Sequence, residues 1–239
     1  MSNEDVDQMN GDNSYLQFDG IDDYIEIPSS SDFSVATGGA LTVSLWIRPA
    51  VLIFPSTEGG DEKYVHFAGK GERGQQEWVF RIYSQDNGVG RANRISFYVF
   101  NLKGGEGVGS HFQDPGNPVQ AGVWLHVVGA ADNEKTYIFI NGTLIDSDVY
   151  VEQIIPQNGN APLRIGTRDF SSYFQGQIRE LRIWNRLLSE SEVNELYNTG
   201  LASPDGLVAE YLLGQDIAVD TAGTHNGTID GPIWVPRDG

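Results

Sequence analysis

Apolar and polar residues alternate along this chain in short runs, and the period is two far more often than 3.6. Tyr15–Phe18 and Tyr24–Ile27 are two such runs on either side of an Asp/Gly turn. In "ALTVSLWIRP", Leu41, Val43, Leu45 and Ile47 share one face and Pro49 ends the run. "KYVHFAGKG" is a further strand. "EWVFRIYSQ" and "RISFYVFN" pair across the loop "DNGVGRAN". "VWLHVVGAAD" and "KTYIFINGTLI" form a second pair, with a turn signal at Asn141–Gly142. "APLRIGT", "GLVAEYLLG" and "PIWVP" add three more strands, and "GSHFQDPGN" reads as a loop.

The pattern predicts one helix. Ser189 and Glu192 spell a capping box, Leu188 and Val193 a hydrophobic staple, and Gly200 suits the position just past the helix end. Many short strands with one late helix predict an all-β fold, a two-sheet antiparallel β-sandwich. No stretch resembles a linker. Residues 15–239 therefore read as one domain, preceded by a flexible acidic tail over 1–14.

One strand breaks its own rhythm. In "YFQGQIRELRIWNR", Ile178 is apolar, Arg179 and Glu180 are both charged, and Leu181 and Ile183 resume out of phase. A β-bulge there would insert one residue and let Ile178, Leu181 and Ile183 all face the core.

Alternation also sorts the outward-facing side chains. Opposite the core-facing Trp78, Phe80 and Ile82 stand Arg81 and Tyr83. Opposite Ile95, Phe97 and Val99 stand Arg94, Tyr98 and Phe100. Tyr137 and Phe139 lie outward on a later strand and are expected on the same face. An outward face rich in rings and arginine has three readings: a second small core under a covering segment, a ligand groove, or a dimer interface.

Composition narrows the function. A net charge of −18 argues against binding a phosphate backbone. It reads as a solvated acidic surface, with divalent cations or a saline setting as alternatives. There is no cysteine, hence no disulfide framework or thiol nucleophile. The start "MSNEDVDQMNGDNS" lacks the basic and apolar segments of a signal peptide. Neither a G-x-S-x-G elbow nor an E-x-D-x-E strand appears. The histidines are scattered. His126 reads as a core histidine, and His111, beside Asp114, sits on a loop that could rim a site.

The ordered set "LQFDGIDDYIEI", "LTVSLWIRP", "FAGKG", "WLHVVGAADNEKTYIFING", "PLRIG" and "FQGQIRELRIWNRLLSESEVNELY" resembles the laminin-G-like jellyroll family. That family belongs to the concanavalin A-like lectin/glucanase superfamily and has pentraxin-like members. The resemblance implies a jellyroll with one convex and one concave sheet, sugar ligands on the concave face or its rim loops, and an extracellular or cell-surface setting. The aromatic–arginine face is expected on the concave sheet. Members also carry a structural Ca²⁺. Its ligands here would be Asp19, Asp22, Asp23 and Glu180, although Arg179 stands where the family has Asp. Either Arg179 pairs with one of the three aspartates in place of the ion, or Glu180 still faces a retained metal.

The function expected is non-catalytic glycan binding, as a lectin or carbohydrate-binding module. Its contacts would be Arg81, Tyr83, Arg94, Tyr98, Phe100 and Phe139, with His111, Asp114, Arg168 and Tyr173 on the rim. An adhesion or assembly domain binding protein through the same face is the alternative. A polysaccharide lyase or glycoside hydrolase is a third reading. Nothing in the chain points to nucleic acid or to a membrane span.

Overall fold

The computed structural model describes residues 14–101, 107–151, 155–213 and 218–236. The expected acidic tail lies outside these residues except for Ser14. Two antiparallel sheets face each other as a jellyroll sandwich. Sheet A runs β10 (Thr143–Val149), β9 (Lys135–Ile140), β8 (Leu125–Asp132), β3 (Ala40–Pro49), β12 (Gln175–Trp184), β1 (Tyr15–Asp19) and β15 (Ile233–Val235). β13 (Leu207–Tyr211) also pairs with β12. Sheet B runs β14 (Thr228–Asp230), β2 (Tyr24–Ile27), β11 (Leu163–Ile165), β4 (Tyr64–Glu72), β5 (Gln75–Tyr83), β6 (Ile95–Val99) and β7 (Val108–Phe112).

The core between the sheets holds the residues that the alternation points inward. They include Leu41, Val43, Leu45 and Ile47 of β3, Trp78, Phe80 and Ile82 of β5, and Ile95, Phe97 and Val99 of β6. Rings dominate the middle: Phe80 lies 4.8 Å from Phe97 and 5.3 Å from Phe67. Such pairs add roughly 1 kcal/mol each beyond the area they bury.

The turn at Asn141–Gly142 joins β9 to β10 with both residues left-handed, φ 49° and 77°. That is the hairpin geometry for which Asn-Gly is suited. The slipped strand contains the bulge its sequence predicts. Pairing of β12 with β3 shifts between Arg179 and Arg182, and Glu180 takes φ 56°. Ile178, Leu181 and Ile183 all reach the core as a result.

The late helix spans Glu190–Thr199 with a complete capping box, and Gly200 ends it at φ 70°. Its Val193 and Leu196 join Val128, Phe139, Trp184 and Leu188 in a second small core outside sheet A. A four-residue helix, Val35–Gly38, was not evident from the sequence and packs beside β3. The segment around His111 is also corrected. It is not a loop but strand β7, which completes sheet B beside β6. Among the described residues no helix is long and apolar enough to cross a membrane.

Candidate functional site

Sheet B turns an unusual row of side chains outward. Strand β4 contributes Tyr64 and His66, β5 contributes Arg81 and Tyr83, and β6 contributes Tyr98. Phe100 follows just beyond it. Their order along the face follows from the register, because Tyr64 pairs with Tyr83, His66 with Arg81 and Val79 with Tyr98. Both helices pack on sheet A. Within the row Tyr64, Arg81 and Tyr98 are half-buried and keep a water-facing side, whereas His66, Tyr83 and Phe100 are buried.

Arg81 is the hub. Its guanidinium carbon lies 4.4 Å from the centre of the Tyr64 ring, 4.7 Å from Tyr98 and 5.5 Å from Phe100. Tyr98 and Phe100 stack on each other at 6.0 Å. Gly109 of β7 makes room for the Tyr98 ring, since a Cβ there would lie 2.6 Å from Tyr98 Cγ. Burial, with the hydrogen bond to Tyr83, pushes the Tyr98 hydroxyl up to about 12. It therefore stays a neutral donor.

Arg81 Nε donates to Nε2 of His66 at 3.2 Å. Nε2 must then be the bare nitrogen, which leaves the imidazole proton on Nδ1 facing Glu58 Oε1 at 2.5 Å. His66 is fully buried. Burial first, then the charges of Arg168 and Arg81, hold its pKa well below the ordinary value, so the ring is neutral. Burial raises Glu58 against the pull of Arg168 and Arg81. Ser172 donates to Glu58 Oε1 at 3.3 Å.

Arg168 closes one side of this cluster. Its Nη2 donates to Asp169 at 2.6 Å, while its buried Nε and Nη1 meet no acceptor. Next along the sheet, Arg164 lies over Phe170 at 4.2 Å and pairs with Glu26 and Glu72. On the other side Arg91 pairs with Glu62 at 2.6 Å and lies over Tyr83. Arg94 continues the ladder opposite Tyr83 and donates to Gln113 through Nε and Nη2.

The residues expected at the site divide into groups. Arg81, Tyr83, Arg94, Tyr98 and Phe100 share the outer face of sheet B, and Arg168 borders it, but Tyr83 and Phe100 are buried there and cannot themselves touch a ligand on the surface. His111 is on the same face of β7, across from Ser96, but turns toward Asp146 at 3.3 Å. Asp114 is exposed beyond β7 and caps its own turn through Gly116. Tyr173 lies toward Asp22 and Arg164 at the far end of the sheet. Phe139 is displaced altogether: β9 belongs to sheet A, and both Phe139 and Tyr137 pack under the late helix. Outward aromatics thus had different fates: the late helix covers Phe139 and Tyr137, Tyr83 and Phe100 are buried on sheet B, and Tyr64 and Tyr98 stay half-buried. His66 and Glu58 were missed. The alternation of "KYVHFAGKG" does put His66 outward, but the loop that brings Glu58 to it left no periodic signal.

The four residues expected to hold metal are not together. Asp19, Asp22 and Asp23 gather at the end of β1, their carboxylate oxygens within 4.8 Å of one another. Glu180 lies further along β12, beyond Ile178, the last residue paired with β1. It meets Arg182 at 3.1 Å, in a cluster with Glu210. Arg179 does not pair with the aspartates either. It is buried between Trp46 and Trp124, 5.0 and 4.6 Å from their rings. Plain alternation after Ile178 puts Arg179 on the outer face of sheet A opposite Trp46, and the bulge follows it at Glu180.

The three aspartates still suit a Ca²⁺ ion, which takes oxygen ligands alone. Asp23 Oδ2 accepts from the Asp19 amide and Asp19 Oδ1 accepts from Ile21, which leaves other oxygens uncommitted. Gly231 supplies a cradle: a Cβ there would stand 2.0 Å from Asp23 Oδ1. Burial, followed by its acidic neighbours Asp19, Asp22 and Asp230, raises the Asp23 pKa. A cation would relieve that crowding.

The two antiparallel sheets define an all-β jellyroll sandwich. Residues 19–194 match the laminin-G profile described as the concanavalin A-like lectin/glucanases superfamily, and the chain belongs to that superfamily. No curated protein sequence matches it. Among solved structures, the fold is similar to a candidate carbohydrate-binding protein of Bacteroides ovatus, with TM-score 0.65 and 20% identity over 96% of this chain and 61% of that one. The chain thus spans about three fifths of that relative. It is also similar to the native heptameric SAP-like pentraxin of Limulus polyphemus, with TM-score 0.60 and 13% identity over 93% of this chain and 94% of that one.

Proposed function

We propose that this domain binds a glycan, without catalysis, on the outer face of sheet B. The observation that carries the reading is the row Tyr64, Arg81, Tyr98 and Phe100. Tyr64 and Tyr98 flank a clamped guanidinium and all three keep part of their surface in water, while the buried Phe100 stacks behind Tyr98. Flat rings offer CH-rich sugar faces a stacking surface, and neighbouring polar groups supply directional hydrogen bonds. The name of the Bacteroides ovatus relative and the superfamily itself support the same class of ligand. The second element of the proposal is structural. Asp19, Asp22 and Asp23 would hold Ca²⁺ and tie the end of β1 to the start of β2.

A glycan array on the wild-type protein and on Tyr98→Ala tests the reading. Binding of at least one glycan class, lost in the variant at unchanged Tm, is the expected result. No binding, together with a dimer in light scattering that Tyr98→Ala dissociates, would replace it with an assembly role. Release of new reducing or unsaturated sugar ends would replace it with catalysis.

A further inference from the structure

Arginines on the outer face of sheet B are matched with acids, with two exceptions. Arg91 has Glu62, Arg164 has Glu26 and Glu72, and Arg168 has Asp169. Arg81 and Arg94 have no carboxylate within ion-pair distance, in a chain with 33 acidic residues and only 15 lysines and arginines. They lie on adjacent strands of one face, Arg81 opposite Ser96 and Arg94 opposite Tyr83. Where acids outnumber bases twofold, an unmatched pair of arginines on one face is a local reversal of the protein's charge.

Arg81 is also prepared for a partner. Its Nε is taken by His66, and its plane is fixed by Tyr64 and Tyr98. Its two terminal nitrogens donate to nothing among the described residues. Glu58 is not its counter-ion: it faces the neutral His66 instead, whose Nδ1 lies 2.5 Å from Glu58 Oε1. Beside this group, Arg168 holds buried Nε and Nη1 donors that likewise have no acceptor. Unmet donors of a cationic side chain call for an acceptor oxygen, and a second cation could not satisfy them. This weighs against reading Glu58, His66 and Asp169 as a metal site, although their ligand atoms lie close together.

We infer that the glycan read by this face is acidic, with a sugar carboxylate docking on the free terminal nitrogens of Arg81 and neighbouring rings stacking on its pyranose face. The inference rests on the glycan reading above and names its substrate class. A planar carboxylate matches the guanidinium fork in two parallel hydrogen bonds, whereas a neutral hydroxyl uses only one.

The test is a panel of uronate oligosaccharides (oligogalacturonate, alginate and hyaluronan oligomers) and 3′-sialyllactose, each paired with its carboxyl-reduced or asialo counterpart, and a sulfated neutral oligosaccharide. Affinities are measured by calorimetry for the wild type, Arg81→Gln and Arg81→Lys. One acid–neutral pair is expected to differ at least tenfold in the wild type. Arg81→Gln should erase that difference. Arg81→Lys, which keeps the charge but loses the fork and the His66 bond, should retain only part of it. Near-ultraviolet circular dichroism checks that the variants stay folded, and the lysine variant stands in if the glutamine one does not. Equal binding of acid and neutral partners, a preference surviving in both variants, or binding of the sulfated sugar alone would overturn the carboxylate reading while glycan binding stood. Absence of binding to any glycan, neutral ones included, would overturn the glycan reading itself.

Discussion

His66 accepts from Arg81 at its bare Nε2 and turns Nδ1 to within 2.5 Å of Glu58 Oε1, so a fully buried imidazole stands between a half-buried carboxylate and a half-buried guanidinium. The histidine touches solvent nowhere. Its effect is positional: it decides where the planar face of Arg81 lies between Tyr64 and Tyr98. His66→Phe removes the acceptor and leaves Arg81 Nε unmet, whereas His66→Gln can still accept from Arg81. Affinity for a glycan that binds the wild type should therefore fall about tenfold in His66→Phe, some 1.4 kcal/mol, and recover at least partly in His66→Gln. Equal loss in both variants would indicate a packing defect and not a positioning role.

Acid should weaken the fold through its buried histidines. Burial, with help from Arg182 and Arg179, lowers His126 to about 3, and His66 is lowered in the same direction. A depressed histidine binds fewer protons folded than unfolded. Its stabilising contribution is complete above the unfolded value near 6.5 and is lost as pH falls from there toward the folded value. Each pH unit in that window removes about 1.4 kcal/mol per histidine. The raised carboxyls Glu58 and Glu77 oppose this, since they bind protons more readily folded than unfolded. A comparison of variants isolates the histidine. His126→Gln should be less stable than wild type at pH 7, yet lose about 2 kcal/mol less between pH 6.5 and 5 in chemical denaturation. Parallel pH profiles for the two proteins would refute this assignment.

At one end of the sandwich Lys70 and Glu77 form a buried ion pair. Glu77 also accepts from Ser34 Oγ and the Gly159 amide, and Lys70 donates to the Gly159 carbonyl. Removing one charge strands the other. Lys70→Met alone should cost about 3–5 kcal/mol. Adding Glu77→Gln should restore part of that loss, because the amide can still accept from Ser34 and Gly159 without a buried charge. Additive losses in urea melts would mean that the two charges are not coupled.

The strands that formed the core were legible in the sequence because each carries an unbroken beat of two; β3, β5 and β6 are the clearest. The bulge at Glu180 was legible for the same reason, since a missed beat must be absorbed somewhere. The helix was announced by Ser189, Glu192 and Gly200, which act through local hydrogen bonds. Sheet membership was not legible. Phe139 and Tyr98 alternate alike, and only the chain's path through space puts one under a helix and the other beside Arg81. Strand β7 was hidden because its edge position is filled by Gly109, Ser110 and His111, with few apolar residues to mark it. Loop-borne partners such as Glu58 and Arg168 reach the site by tertiary folding alone.

Calcium offers a test of the acidic end. Asp19, Asp22 and Asp23 bring three carboxylates together with no basic partner in the ion pairs of the described residues. If Ca²⁺ binds there, it stabilises the folded state by mass action, about 2.7 kcal/mol at a hundredfold excess over Kd. For a domain of this size that corresponds to a rise in Tm of about 5–10 °C. The rise should appear on adding calcium to protein stripped with EDTA and vanish in Asp22→Asn, which removes one charged ligand without adding bulk. Glu180→Gln should leave the calcium shift intact, since Glu180 lies with Arg182 on the far stretch of β12. A Tm indifferent to calcium in the stripped wild type would mean that the aspartates serve the turn alone, with Asp19 and Asp23 holding backbone amides and Asp22 left to solvent.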